Sequence, residues 1–466
     1  DKEGNIKAID MDLLSNTGAY GEHALTVFMV SGSKTLPLYN KVEAVRFGGK
    51  TVYTNLTPAG AYRGYGAIQG NFALESAIDE LAAKLGMDPV ELRKKNMIGQ
   101  GETSPIFKIM GEGTEGVDMI IESCKLDKCL ERAMEISGWR EKYPRKEVSK
   151  GKVRGIGSAI AMQGSGIPYI DMGSAIIKLN DQGFFNLLVG ATDIGTGSDT
   201  VLAQIAAEAL GVPTSKIVVY SSDTDLTPFD CGAYASSTTY VSGNAVRKTA
   251  LKMKEMIEEQ GAIRLGVTKY DVLFDGENIK TKDGTKSISL KDLSTELYYN
   301  NNQKQLVACE SYFGKVSPPP FMGGFAEVEV DLETGKVDLL DYTAVVDCGT
   351  TLNPNLARIQ VEGGLLQGIG MAMFEDAQYN KKGKLMNNSL MNYKIPTRKD
   401  IKNFNVEFVE SYEPSGPYGA KSVGEIGIDT PPAAIANAIY NATGVRIREL
   451  PITPEKVLKG LKELNK

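Results

Sequence analysis

Gly190-Ala-Thr-Asp-Ile-Gly195-Thr-Gly197-Ser198 joins a strand-like run, Phe184 to Val189, to a helical pattern from about Thr200 to Leu210. Upstream, Ala175 to Leu179 reads as the partner strand across the turn Asn180-Asp-Gln-Gly183, which makes a hairpin. A strand, a glycine-rich turn and a helix in succession indicate a mixed α/β chain. Glycines let the backbone come close to a ligand, and N–H groups at a helix start favour an anion such as phosphate. The same pattern also serves as an ordinary strand-to-helix turn. It is not a Walker loop, because no Gly-Lys pair followed by Ser or Thr is present.

Outward from this stretch the alternation of strands and helices continues. Leu74, Ile78, Leu81 and Leu85 recur at helical spacing until Gly86, and Asp88-Pro89-Val90-Glu91 then supplies an N-cap, a first-turn proline and a capping-box carboxylate for a second helix. Further helices are expected at about Asn244 to Glu259, Pro354 to Phe374 and Pro431 to Ala442. Ala326 to Val330 alternates cleanly, and with Val337 to Val346 it predicts a hairpin ending at Asp347-Cys-Gly349. The aperiodic, glycine-rich stretch Gly99 to Gly116 marks a domain boundary, which divides the chain into residues 1–110 and 111–466. At the other end, the turn-like Asp1 to Asn5 runs straight into the strand-like Ile6 to Leu13 with neither Met nor leader before it, as expected of a chain cut from a longer protein.

Of the 466 residues, 42% are hydrophobic and 24% charged, a composition that suits substantial cores rather than disorder. A formal charge of −6 and the lack of basic, aromatic-interleaved runs argue against a nucleic-acid partner, and no apolar stretch is long enough for a membrane span. Five scattered cysteines suit a reducing, cytoplasmic setting. Cys124 and Cys129 have the spacing that opens an iron–sulfur motif, but the C-x2-C that should follow is missing. His23 is the only histidine, so acid–base work falls to Glu, Asp, Lys or Tyr.

Three more segments carry possible chemistry. Ala233-Tyr-Ala-Ser-Ser-Thr-Thr-Tyr-Val-Ser242 offers a run of hydroxyl donors for a polar cofactor, or else a strand with a serine-rich cap. In Gly60-Ala-Tyr-Arg63-Gly-Tyr65-Gly, an arginine between glycines and aromatics suits a buried oxyanion or, equally, a surface loop. Gly419-Ala-Lys-Ser-Val-Gly424-Glu425-Ile-Gly427 places a glycine-flanked carboxylate before a helix, as for a general base or a solvated surface group.

Taken together and in order, these segments resemble the molybdopterin-binding subunit of the xanthine dehydrogenase/aldehyde oxidase family. Ala-Tyr-Arg63-Gly-Tyr65-Gly is similar to that family's Ala-Phe-Arg-Gly-Phe-Gly, and Gly-Ala-Thr-Asp-Ile-Gly195-Thr-Gly197 to its Gly-Gly-Thr-Glu-Met-Gly-Gln-Gly. Leu352-Asn-Pro354, Gln360-Val-Glu-Gly363 and Gln367-Gly-Ile-Gly370 resemble Leu-Asn-Pro, Gln-Val-Glu-Gly and Gln-Gly-Leu-Gly, and Lys421-Ser-Val-Gly-Glu425 resembles Lys-Ala-Val-Gly-Glu. The resemblance implies two mixed α/β (α+β) molybdenum-cofactor domains, the first incomplete, with no side chain bound directly to the metal. It implies Arg63 and Gly64 beside the metal's oxygen ligands and Tyr65 against the substrate ring. Gly195, Thr196, Gly197 and Ala235, Ser236, Ser237, Thr238 and Thr239 fall around the pterin and its phosphates, Gln360 on the pterin, and Glu425 at the general base.

By the same resemblance the cofactor is molybdopterin in its cytosine dinucleotide form. The reaction is oxidative hydroxylation of an N-heteroaromatic such as a purine. Electrons leave through iron–sulfur and FAD partners, and the complex forms a homo-oligomer. Aldehyde oxidation, nicotinate hydroxylation and aromatic thioester reduction are related alternatives; a cofactor-free binding protein on the same fold is an alternative of another class. Thr196 stands where the family has Gln, and Tyr65 where it has Phe, so purine specificity does not transfer directly. The carbon monoxide dehydrogenase branch carries a cysteine in the Arg63 loop, and this loop has none. The family's Gly-Gly-x-Phe-Gly segment lies upstream of Asp1, so the chain taken alone is expected to bind cofactor weakly and to be inactive.

Overall fold

The structure is a computed structural model that describes residues 1–144 and 146–464. It forms two compact units, the first made of Asp1–Gly164, Pro318–Glu413 and the residues from Val423 onward, the second of Ser165–Ser317 and Pro414–Ser422. This division differs from the one expected near residue 110. Leu126, Leu130 and Ala133 of the helix Leu126–Ser137 share a core with Leu74 and Ile78 of the helix Ala67–Leu85, which ties the residues after the glycine-rich stretch to those before it.

The first unit is built on a five-stranded sheet in the order Phe404–Phe408, Val337–Asp347, Phe321–Asp331, Lys152–Met162, Lys146–Ser149. Its central pair is the expected hairpin, antiparallel from Phe321 opposite Asp347 to Val330 opposite Val337. Lys152–Met162 hides a period of two because both of its faces are buried. Ile156, Ile160 and Met162 enter the core of the helix Leu126–Ser137, whereas Gly155, Gly157, Ala159 and Ala161 face the other way. The alanine-rich helix Pro431–Thr443 packs on that small-residue face. A Cβ on Gly157 would lie 2.1 Å from the Ala438 nitrogen, so only glycine lets helix and strand approach this closely.

Beyond Arg154 this strand has lost its outer neighbour, and buried side chains take over its edge. Glu75 Oε2 accepts from the Ile160 N–H at 2.8 Å, Asn437 donates to the Ser158 carbonyl at 3.1 Å, and Asn441 accepts from the Ile156 N–H at 3.2 Å. Glu75 also receives the Tyr39 hydroxyl and Arg93 Nε, the latter at 2.7 Å, with both charged side chains fully buried. Burial and the nearby Glu75 push the Tyr39 hydroxyl well above its ordinary value. A parallel ribbon, Ala8–Gly18 with Ala44–Tyr53, and the helices Ala24–Ser33 and Pro89–Asn96 complete this part, and Asp88 caps the latter through the Val90 and Glu91 N–H groups as its sequence predicts.

In the second unit a four-stranded sheet runs Val307–Phe313, Met172–Leu179, Phe185–Val189, Ile217–Ser221. The expected hairpin forms its antiparallel middle, and Phe185–Val189 then pairs parallel to Ile217–Ser221 through the crossover helix Ser198–Leu210. The helix Val241–Leu265 starts three residues before the expected Asn244 and packs on this sheet, where Thr249 Oγ1 reaches the Ala175 carbonyl. Among the described residues no helix is long and apolar enough to cross a membrane, and no group of three or more His, Cys, Asp or Glu side chains can hold a metal ion.

The Glu75–Arg93 pair yields a stability prediction. Arg93→Met leaves a buried carboxylate short of its cation and is expected to cost about 3–5 kcal/mol in urea denaturation. Adding Glu75→Gln should recover part of that loss, since the second change removes the stranded charge. A double mutant as unstable as the sum of the two single changes would contradict this coupling.

Candidate functional site

In the first unit the helix Pro354–Met373 and the turn Ile426–Ile428 meet at backbone distance, and the loop carrying Arg63 reaches them through side-chain hydrogen bonds. A Cβ on Gly364 would stand 3.0 Å from the Gly427 carbonyl carbon, and one on Gly368 2.7 Å from the Ile428 oxygen. These glycines of one helical face let the turn settle directly onto the helix, which brings Gln360 and Gln367 alongside it.

Arg63 joins the three pieces. Its Nε donates to the Gly424 carbonyl at 2.6 Å, one terminal nitrogen to Gln367 Oε1 at 3.2 Å, and the other to the Gln360 carbonyl at 2.9 Å and Gln360 Oε1 at 3.3 Å. Four of its five N–H donors are therefore committed to the chain itself. Gln360 is half-buried, and with its oxygen turned to Arg63 its amide nitrogen is left to donate elsewhere.

Glu425 lies at the head of the same turn, half-buried, and the Gly64 N–H donates to its Oε1 at 3.1 Å. Gly64 itself has φ +84, a conformation suited to glycine, and its carbonyl accepts from Gln163 Nε2 at 3.2 Å. Four residues on, Asp429 is fully buried, with no donor at hydrogen-bonding geometry to either carboxyl oxygen. Burial, reinforced by the Glu425 charge, pushes its carboxyl well above the ordinary value, against the pull of Arg63 and the nearby Gln163 side chain. Burial thus favours the protonated form of Asp429. Sequence reading passed over Asp429; the available signal is a carboxylate set between Ile428 and the buried start of the helix Pro431–Thr443.

Tyr65 stands one residue beyond Gly64 in a left-handed conformation, φ +45. Its hydroxyl meets His23 Nδ1 at 2.6 Å and Thr26 Oγ1 at 2.7 Å. The first unit thus gathers Arg63, Gly64, Gln360 and Glu425 into one hydrogen-bonded cluster with Tyr65 adjoining.

The remaining expected residues belong to the second unit. Gly195 and Gly197 adopt φ +96 and +75 ahead of the helix Ser198–Leu210, but the donors at its start are not free. Asp193 Oδ1 accepts the Gly195 N–H at 2.9 Å and the Gly197 N–H at 3.1 Å, and its Oδ2 accepts that of Asp199 at 3.3 Å. Burial raises the Asp193 carboxyl, yet these N–H donors outweigh it and hold the group below its usual value. Ser198 Oγ and Asp199 Oδ1 are left buried without a partner. The Ala235–Thr239 run is a turn rather than a strand, with Ala235 at φ +49 and Ser236 at φ +53, and it leads into the helix Val241–Leu265. Ser422 donates to the Ser236 carbonyl. Asp230 stands between the two segments: Ser242 donates to it at 2.6 Å, and a Cβ on Gly190 would lie 2.8 Å from its Cβ.

Comparison with known proteins identifies both cofactor-type segments. Residues 1–97 and 132–402 match family models described as molybdopterin cofactor-binding domain. The chain is 39% identical over 466 residues to a protein named probable hypoxanthine oxidase XdhD of Escherichia coli, covering 99% of this chain and 48% of that protein. It is 38% identical to the xanthine dehydrogenase molybdenum-binding subunit of Escherichia coli O157:H7, covering 98% of this chain and 60% of the relative. The solved structure of quinoline 2-oxidoreductase from Pseudomonas putida 86 superposes with a TM-score of 0.89 at 26% identity, over 99% of this chain and 61% of that one. The chain thus spans about half to three-fifths of the length of these relatives.

Because its folded-state proton affinity is raised, Asp429 favours the folded chain at low pH and loses that contribution as pH rises through its folded value. Asp429→Asn has no proton to lose. Its stability relative to the unaltered chain should therefore grow as pH rises from about 4, measured by urea denaturation across that range. A difference independent of pH would show that Asp429 is not held neutral.

Proposed function

Because the chain belongs to the molybdopterin cofactor-binding domain family, we propose that it is the catalytic portion of a molybdenum hydroxylase acting on an N-heteroaromatic ring of the purine type. The observation that carries this reading is the Glu425 carboxylate, held by the Gly64 N–H beside an Arg63 that is itself fixed to the Gly424 carbonyl. The printed names of the relatives, hypoxanthine oxidase and xanthine dehydrogenase, support the ring class.

The residues present fit a polar, phosphate-bearing cofactor. Gln360 keeps an amide donor in a half-buried position, and Ser198 Oγ is buried without a partner beside Gly195, around whose Cβ position nothing lies within 4 Å. Thr238 and Thr239 add half-buried hydroxyls. Because Asp193 takes the donors at the helix start, phosphate recognition in this reading falls to these hydroxyls rather than to bare backbone N–H groups. Bound molybdopterin, in its cytosine dinucleotide form, would supply the two-electron acceptor and the oxygen-transfer chemistry, with iron–sulfur and flavin partners carrying the electrons away.

What the chain contributes is proton control and orientation. Glu425 accepts a proton at the carboxyl oxygen not engaged by Gly64. Asp429 lies fully buried in the same cluster, where burial favours its protonated form. Tyr65 presents its ring to a planar substrate, with its hydroxyl tied back to His23 and Thr26. This assignment holds for the complete protein with its partner subunits.

Glu425→Gln in that complex keeps an acceptor for the Gly64 N–H, so loop geometry and cofactor content should be unchanged, while turnover falls by about 10²–10⁴-fold. Steady-state rates with metal and nucleotide analysis of the same preparations check this. Turnover within about tenfold of the unaltered enzyme would remove Glu425 from the base role.

A further inference from the structure

We infer that His23, acting with Tyr65 and Thr26, is a specificity-determining element that reads the lactam edge of an oxo-substituted N-heteroaromatic, its Nε2 serving as donor or acceptor as the ligand requires. The inference rests on the proposed function and names the substrate class for that same site.

Thr26 Oγ1 lies 3.0 Å from the His23 carbonyl and 2.7 Å from the Tyr65 hydroxyl, which in turn lies 2.6 Å from His23 Nδ1. Each hydroxyl owns one hydrogen. If Thr26 donates to the His23 carbonyl, Tyr65 must donate to Thr26, and Nδ1 must carry a hydrogen to meet the Tyr65 oxygen. Nε2 is then a bare acceptor. If Thr26 instead donates to Tyr65, Tyr65 donates to Nδ1, and the neutral imidazole carries its hydrogen on Nε2. The His23 carbonyl loses nothing in that state, because the Val27 N–H already donates to it at 3.0 Å. Both states satisfy every internal partner, both are uncharged, and they differ by two hydroxyl rotations and one ring tautomer.

Nε2 makes no bond among the described residues, and His23 is only partly buried, so this is the pole left to an incoming ligand. The cluster is tied to the reacting centre. Tyr65 follows Gly64, whose N–H holds Glu425, and Gly66 on its other side packs so closely on the helix Ala24–Ser33 that a Cβ there would lie 2.1 Å from the Val27 oxygen. The left-handed backbone of Tyr65, unusual for a bulky residue, is thereby enforced from both sides. The Glu425 and Glu112 charges both reach the Tyr65 hydroxyl; with burial foremost they raise its proton affinity and keep it a neutral hydroxyl. A ring bearing N–H beside C=O offers both a donor and an acceptor, and an ambivalent Nε2 can meet either one. A fixed donor such as Lys or a fixed acceptor such as Glu would reject half of these presentations.

The test uses the cofactor-loaded complex with hypoxanthine, which carries the lactam, and purine, the same ring without it. His23→Leu and Tyr65→Phe should each lower the ratio of kcat/KM for hypoxanthine to that for purine by about tenfold or more, chiefly through KM. The double variant should be no worse than the poorer single one, because both act through the same Nε2. His23→Gln, whose amide offers both a donor and an acceptor, should restore part of the ratio. Dissociation constants for the two rings measured in the Glu425→Gln complex, where turnover is suppressed, should show the same loss for hypoxanthine. Equal losses on both rings, an unchanged ratio or additive losses in the double variant would overturn the inference. Failure of the unaltered complex to turn over either ring would overturn the functional reading first.

Discussion

The Arg63 guanidinium is the interaction on which the candidate site depends. It bonds at once to the carbonyl before Glu425 and to two glutamines on the helix Pro354–Met373, so three stretches far apart in sequence are fixed relative to one another. A guanidinium suits this task because its donors are coplanar and fixed in direction, which a lysine ammonium could not reproduce. Burial lowers its proton affinity, and the Glu425 and Asp429 carboxyl groups work in the opposite sense. One arginine beside two acids leaves room for a single anion. Burial favours the protonated form of Asp429, the more deeply buried of the two acids.

The close approach that makes this possible is a backbone matter. Gly364 and Gly368 face the turn that carries Glu425, while Gly155 and Gly157 face the helix that follows it. A side chain at Gly364 or Gly368 would push the Glu425 turn off the helix Pro354–Met373, and one at Gly155 or Gly157 would push the helix Pro431–Thr443 off its strand. The buried Glu75 and Asn437 and the half-buried Asn441 then close the strand edge beside that helix, so the hydrogen bonds that complete the sheet also hold the helix in place.

Much of this was legible before any coordinates. Asp88 as an N-cap, the hairpin around residues 331–336 and the strand–loop–helix at Gly190–Ser198 are local patterns, set by turn chemistry and periodicity. What escaped sequence reading was non-local. The donors at the start of the helix Ser198–Leu210 looked open to an anion because nothing in a linear motif shows that Asp193 folds back onto them. The hydroxyl run at 235–239 was open to reading as a strand because alternating small residues do not reveal left-handed backbone at Ala235 and Ser236. Asp429 lacked any motif, since its character comes from burial and from charges distant in sequence. Residues up to Gly164 belong to one compact unit, because a helix after the glycine-rich stretch completes a core begun before it.

The most direct measurement is an experimental structure of the complete, cofactor-loaded complex with a slow heteroaromatic substrate. The account predicts the Glu425 carboxyl oxygen within about 2.6–3.2 Å of the group whose proton it takes. It also predicts the Gln360 amide nitrogen on the pterin and Arg63 still bound to the Gly424 carbonyl. A cofactor seated away from Arg63, Gln360 and Glu425, or a Glu425 side chain turned out to solvent in the loaded enzyme, would contradict it.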